Sequence, residues 1–280
     1  MRIWLDGEVM PIDAARISPL DRGLTVGDGV FETLRVYAGR PFAWRRHHAR
    51  LRASADGLGL SVPDADVLLE GVRAVLEANG LIDSDARVRV TVTGGAGPPG
   101  SSRAGATPIA FVVAVPFRPV ARTAEVVIAP WTRNEHGATA GLKTISYAAN
   151  VRALAYAEAH GASEALFANT AGNLCEATGS NVFVALDGEL RTPPASAGCL
   201  LGVTRALLLQ LAAEVGMAAR EVDVPMEQLG RAEEAFLTST TREVQPIASI
   251  DGRSLPQAPG PIARRLADAF SALVARDVDP

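Results

Sequence analysis

Strand-length apolar runs closed by tight turns set the first limit on what this chain can fold into. Arg2 to Leu5 and Glu8 to Met10 flank Asp6-Gly7, while Phe31 to Tyr37 and Pro41 to Trp44 flank Ala38-Gly39. Each pair predicts a β-hairpin. The pattern then switches to a helical period over Arg45 to Leu58 and Asp64 to Asn79, the second bounded by Pro63 and Gly80. Strands are expected at Arg87 to Thr93 and Pro108 to Pro116, enclosing Gly94 to Gly105, a Gly/Pro/Ser loop too polar for a core. The first half therefore reads as an α+β domain.

Near Pro116 to Arg122 the composition loosens, which divides the chain into residues 1–117, a linker at 118–123 and a larger domain at 124–280. The second domain should hold a strand at Glu125 to Ala129 and an alanine-rich helix that begins near Tyr147 and is closed by Gly161. Further strands are expected at Glu164 to Ala168, Val182 to Leu186 and Glu234 to Thr238, with helices at Thr204 to Val215 and Pro261 to Ala275. A length of 280 residues with 48% hydrophobic and 21% charged side chains is that of a soluble globular protein with one large or two ordinary domains. No repeat or low-complexity tract interrupts it. A net charge of −4 gives no general attraction to nucleic acid or to an anionic membrane, so an anionic ligand needs a local positive site. The N-terminus turns polar too soon for a signal-peptide core, and Ile109 to Phe117, the longest apolar stretch, is far too short to span a bilayer. Two cysteines without a framework, Cys175 and Cys199, fit a reducing compartment, and the expected location is the cytoplasm.

Among 27 basic side chains Lys143 is the only lysine. Arginine substitutes wherever a positive charge suffices, but its guanidinium does not readily deprotonate and makes a poor nucleophile. An amine kept in a chain that otherwise uses arginine points to Schiff-base chemistry with a carbonyl, against the plain alternative of a chance survivor. Downstream stand a carboxylate, Glu176, beside the Thr178-Gly179-Ser180-Asn181 loop, and the helix start Gly202-Val203-Thr204. An amine, an acidic partner and a helix N-terminus are the parts that a pyridoxal phosphate (PLP) site requires.

In order and spacing these pieces resemble the class IV aminotransferases, PLP fold type IV. The resemblance covers nearly the whole chain through Asp21-Arg22-Gly23, Gly27 to Thr33, His47-x-x-Arg50-Leu51, Lys143, Glu176 to Phe183, Gly202 to Arg205 and Thr238 to Thr241. It implies a two-domain α/β (α+β) fold like that of the D-amino-acid aminotransferases, with PLP at the domain interface, and a homodimer. It also implies that Lys143 carries the cofactor and moves the substrate proton. A free lysine has a pKa of about 10.4, so burial near other cations should lower it for that task. Glu176 takes the position of the carboxylate set against the pyridine nitrogen. Tyr147, four residues after Lys143, would share a helical turn with it and donate to the cofactor's phenolate oxygen. Arg50, the backbone N–H groups of Val203 and Thr204, and the hydroxyls of Thr240 and Thr241 would hold the phosphate, with Leu200 against the ring. The adjacent histidines His47 and His48 read as structural, no cluster has metal-ligand spacing, and Gly94-Gly95-Ala96-Gly97 lacks the context of a P-loop.

The reaction is less sharply marked. D-amino-acid aminotransferases carry an arginine and a histidine in the loop corresponding to Thr93 to Ser102, and neither is present here. Their tyrosine before the family glutamate is Phe31. A substrate carboxylate would fall instead to backbone near Thr240 and Thr241, or to Arg22, Arg103 or Arg133. The favoured expectation is a transaminase moving an amino group from D-amino acids, and from (R)-amines, to a 2-keto acid. The alternatives are a 4-amino-4-deoxychorismate lyase releasing p-aminobenzoate and pyruvate, a branched-chain L-amino-acid aminotransferase, and a PLP carrier without turnover.

Overall fold

A computed structural model describes residues 1–280. The chain forms two compact units, one made of residues 1–118, 142–147 and 278–280, the other of 119–141 and 148–277. The lysine segment thus belongs to the first unit, not to the second domain into which a simple cut at 118–123 would place it.

The first unit contains β1 (Arg2–Leu5), β2 (Glu8–Pro11), α1 (Arg22–Val26), β3 (Gly29–Tyr37), β4 (Arg40–Pro41), α2 (Trp44–Leu58), α3 (Ala65–Ala78), β5 (Ala86–Thr93) and β6 (Ile109–Pro116). Its antiparallel sheet has the order β2-β1-β6-β5-β3-β4. Alternation along the strands decides which side is core. Val30, Leu34 and Val36 of β3, Val88, Val90 and Val92 of β5, and Ala110, Val112 and Ala114 of β6 are buried with Leu51 and Ala55 of α2 and Leu68, Val72 and Leu76 of α3. Each such leucine or valine contributes about 1.5–3 kcal/mol on burial. The odd-numbered residues of β3, Phe31 among them, occupy the other face.

β4 pairs only with Val36 and Tyr37, so the first half of β3 has an open edge. The segment around Lys143 fills it. Phe31 N–H donates to the Lys143 carbonyl at 3.1 Å, Ile145 N–H donates to the Gly29 carbonyl at 2.9 Å, and Thr144 bridges Val30. Lys143 and Tyr147 therefore both lie before the helix, and the expected shared helical turn is not formed. The helix begins one residue after Tyr147. The competing hydrogen-bond partners on the open edge outweigh one more helical turn.

The second unit contains β7 (Ala124–Ile128), α4 (Ala148–Ala159), β8 (Glu164–Ala168), β9 (Leu174–Ala177), β10 (Asn181–Leu186), β11 (Glu189–Thr192), α5 (Val203–Glu214), β12 (Ala219–Glu221), β13 (Glu234–Ser239), β14 (Glu243–Ile250), β15 (Arg253–Ser254) and α6 (Pro261–Arg276). Its sheet runs β12-β11-β10-β13-β14-β7-β8-β9, with β15 on β14. The β11–β12, β14–β7 and β7–β8 pairs are parallel. β9, which carries Glu176, and β14 form strands beyond those that the sequence marked. Both are interrupted by polar residues, and each is recruited by a better strand beside it. No helix is long and apolar enough to cross a membrane.

Candidate active site

In the first unit the Lys143 Nζ lies 4.4 Å from the centroid of the Phe31 ring. Tyr147 meets the same ring edge-on at 5.3 Å. The Lys143 N–H donates to Ser54 Oγ of α2 at 3.0 Å, a second backbone anchor beside those on β3. The glycines that bracket Asp28 permit this approach. A Cβ on Gly27 (φ +69°) would stand 2.5 Å from Ser146 Oγ, and one on Gly29 would stand 2.8 Å from Ile145 Cδ1. Glycine is required because a neighbouring strand leaves no room for a side chain.

Glu32 is the next even-numbered residue of β3, so it enters the apolar face and is only 1% exposed. A bare carboxylate there would be prohibitive. α2 supplies the compensation from one face. Arg50 donates from Nε to Glu32 Oε1 and from Nη2 to Oε2, both at 2.8 Å, and His47 Nδ1 stands 2.7 Å from Oε2. Burial alone would raise the Glu32 pKa, but Arg50 and His47 more than offset it and hold the carboxyl far below its ordinary range. Burial pushes His47 below its usual value despite Glu32, and Arg50 and Lys143 push it the same way. The ring is neutral at pH 7 and donates its Nδ1 proton to Glu32. The fork of Arg50 is thereby fixed in plane and direction.

On the other face of the sheet Arg89 of β5 joins Lys143 and Tyr147 at the Phe31 ring, a part that sequence reasoning missed. Its guanidinium carbon lies 3.6 Å from the centroid of the Phe31 ring, and Nε donates to Thr91 Oγ1 at 3.2 Å. Alternation in Arg87-Val88-Arg89-Val90 was the available signal, since it places both arginines on the face that Phe31 shares.

The second unit gathers the remaining residues. Glu176 Oε2 accepts the Leu200 N–H at 3.0 Å, and Oε1 lies 3.4 Å from Arg133 Nη2. Arg133 also stacks on Phe167, 4.4 Å from the ring centroid. Asn181 Nδ2 donates to the Leu200 carbonyl at 2.7 Å, and its Oδ1 abuts Gly202, where a Cβ would come within 2.1 Å of it. Gly202 is the extended N-cap of α5 and no side chain caps the helix, whose first turn is Val203 and Thr204. Asn181 pairs with Thr238 of β13, whose buried Oγ1 has no hydrogen-bond partner. Thr240 and Thr241 form the half-buried turn that follows β13. Arg242 closes that turn by pairing with Glu164 at 2.9 Å, and Glu164 in turn accepts from Gly179 N–H and Ser180 Oγ.

Two of the three arginines expected at a substrate carboxylate are otherwise engaged. Arg22 gives Nε to Asp28, Nη1 to the carbonyls of Gly100 and Ser102, and Nη2 to that of Ser101. Arg103 forks onto Asp28 and donates to the Leu58 and Gly59 carbonyls. With four N–H directions used on each, neither presents a fork to a ligand. Arg133 stands at Glu176 instead, because its guanidinium finds both a carboxylate and an aromatic face there.

The first unit is an all-antiparallel sheet covered by two helices and carries an anchored lysine. The second is a mixed nine-stranded sheet with a supported carboxylate, so each unit is α+β and the residue types are those of an aldehyde-cofactor enzyme. The family model for Amino-transferase class IV matches residues 29–250, and the chain belongs to that family. A putative branched-chain-amino-acid aminotransferase of Methanocaldococcus jannaschii is 33% identical, covering 96% of this chain and 95% of its own. A D-alanine aminotransferase of Staphylococcus epidermidis is 30% identical over 96% of each chain. The branched-chain aminotransferase of Thermobaculum terrenum in its PLP form superposes with a TM-score of 0.88 at 28% identity, covering 99% of this chain and 94% of that one. The protein is a PLP-dependent transaminase. The residues present fit the group. The uncapped start of α5 and the orphaned Thr238 hydroxyl suit a bound anion, and Glu176 is a carboxylate held by the Leu200 N–H and Arg133.

Proposed function

We propose that this aminotransferase takes its amino group from branched-chain L-amino acids and passes it to a 2-keto acid. The observation that carries the reading is the Phe31 ring, which has the Lys143 amine on it at 4.4 Å and the Arg89 guanidinium at 3.6 Å. An amine that reacts and a fork that binds carboxylate, both against one aromatic wall, suit an α-amino acid with an aliphatic side chain. The branched-chain name of the Methanocaldococcus jannaschii relative supports the same choice.

Bound PLP supplies the electron sink that accepts the pair left when the donor's Cα–H bond breaks. Lys143 Nζ would hold the cofactor and move the proton at the donor Cα. Glu176 would keep the pyridine nitrogen protonated. Its carboxylate is oriented by Leu200 N–H and Arg133. Tyr147 would donate to the phenolate oxygen, Leu200 would pack on the ring, and Phe31 would wall the donor. Arg50, the N–H groups of Val203 and Thr204, and the hydroxyls of Thr240 and Thr241 would hold the phosphate.

A second reading keeps D-amino acids as donors, favoured by the 30% identity to the Staphylococcus epidermidis D-alanine aminotransferase. Single-turnover reactions with L-leucine, D-alanine and (R)-1-phenylethylamine separate them. L-leucine is expected to react fastest and Arg89→Gln to raise its KM. Reaction with D-alanine alone would replace the branched-chain reading by the second one.

A further inference from the structure

The loop at 94–103 has almost nothing apolar to bury, so packing cannot place it. Two arginines do so through one carboxylate. Asp28, whose side chain is 9% exposed, receives Arg22 Nε at 3.0 Å and a two-point fork from Arg103. Arg22 is itself buried and gathers the carbonyls of Gly100, Ser101 and Ser102, three successive loop residues. Arg103, at the far end of the loop, is tied to the last carbonyls of α2 at Leu58 and Gly59. That end of a helix carries partial negative charge and favours a guanidinium. The pair of arginines holds the Asp28 carboxyl below its ordinary range, with the Arg103 hydrogen bond the largest contribution.

The main chain at Asp28 joins this latch to the lysine segment. The Asp28 carbonyl accepts the Gly94 N–H at 2.8 Å. On either side, the Gly27 carbonyl accepts Ser146 Oγ at 3.0 Å and the Gly29 carbonyl accepts Ile145 N–H at 2.9 Å. The loop also continues directly from β5, which bears Arg89.

We propose that Asp28 is a positioning residue for transamination: by holding Arg22 and Arg103 together it pins the 94–103 loop beside the Phe31 and Arg89 wall, and so sets how tightly the amino donor is bound. The polar loop buries almost nothing apolar, so the ionic link from Arg103 at its end through Asp28 to Arg22 takes the place of packing. Asp28 touches no reacting atom and acts through the loop.

The test compares wild-type holoenzyme with Asp28→Asn, Arg103→Met and the double variant. It uses hydrogen exchange over residues 94–105 and steady-state kinetics with whichever donor the wild type turns over fastest. Asp28→Asn should speed exchange in that loop about tenfold while α2 and β3 keep their protection. Donor KM should rise roughly fivefold with kcat within about twofold, the signature of lost donor binding rather than a lost chemical group. Arg103→Met should give part of both effects and the double variant no more than Asp28→Asn, because both changes open one latch. Unchanged exchange in Asp28→Asn overturns the proposal, as does faster exchange with unaltered KM, or loss through kcat alone. If Asp28→Asn does not fold, the Arg103→Met variant, at a half-buried side chain, decides on the same readouts. The exchange measurement needs no turnover, so a wrong donor assignment leaves it intact.

Discussion

Phe31 holds Lys143 twice: its backbone N–H donates to the lysine carbonyl at 3.1 Å, and its ring stands 4.4 Å from the lysine Nζ. The strand edge fixes where the residue begins, and the ring limits where its amine ends. Lys143→Arg keeps the charge against the ring but removes the amine nucleophile. The variant should melt near the wild type, show no borohydride-fixable cofactor and have no measurable turnover. Retained transamination in this variant would remove Lys143 from the chemistry.

The buried Glu32, His47 and Arg50 group should make stability depend on acid in two windows. Glu32 is ionised in the fold and its folded pKa lies below the ordinary 4.5, so its contribution is complete above that value and is lost as pH falls below it. His47 has a folded pKa below 6.5, so acidification beneath 6.5 protonates the unfolded chain first and lowers stability. Denaturant midpoints for wild type should therefore drop between pH 7.5 and 5.5, and again below 4.5. His47→Gln should flatten the first step. Glu32→Gln should cost roughly 3–5 kcal/mol at pH 7, since it removes the buried charge that Arg50 and His47 both answer.

Glu176→Gln keeps the shape of the side chain and the bond from Leu200 N–H, but removes the charge facing Arg133. Cofactor should still bind, while kcat falls by roughly a hundredfold or more because the pyridine nitrogen loses its anionic partner. Rapid mixing with donor would show the loss in the half-reaction. A variant with near-normal kcat would place Glu176 outside the cofactor's electronics.

Gly27→Ala introduces a side chain at φ +69° and within 2.5 Å of Ser146 Oγ. The backbone cost alone is about 1–2 kcal/mol. Thermal melting should fall accordingly. Adding Ser146→Ala should recover only the part due to the collision, and a complete recovery would mean that the left-handed backbone carries no strain.

Much of the fold was legible because it is local. Alternating apolar residues gave β3, β5, β6 and β10, and capped amphipathic runs gave α2, α3 and α6 to within about two residues. Lys143 stood out by composition, since a chain with a single lysine has already discarded the amine wherever charge sufficed. Glu176, by contrast, lies on a four-residue strand that local preference does not mark; its place beside the Gly179-Ser180-Asn181 loop drew notice, and family position raised it above a solvated glutamate. Arg22 and Arg103 show the opposite failure. Sequence reasoning offered them to a substrate because a guanidinium is a carboxylate receptor, but the carboxylate that takes both is the protein's own Asp28.

By itself the sequence singled out the lone amine, most of the secondary elements and the class of chemistry, because these follow from residue type, period and order along the chain. Tertiary structure decided which strand edge receives the lysine, which carboxylate each arginine answers, and that Arg89 stands with Lys143 on Phe31. Those choices depend on partners distant in sequence competing for the same N–H, carbonyl or charge, and on the burial that makes an unpaired group costly.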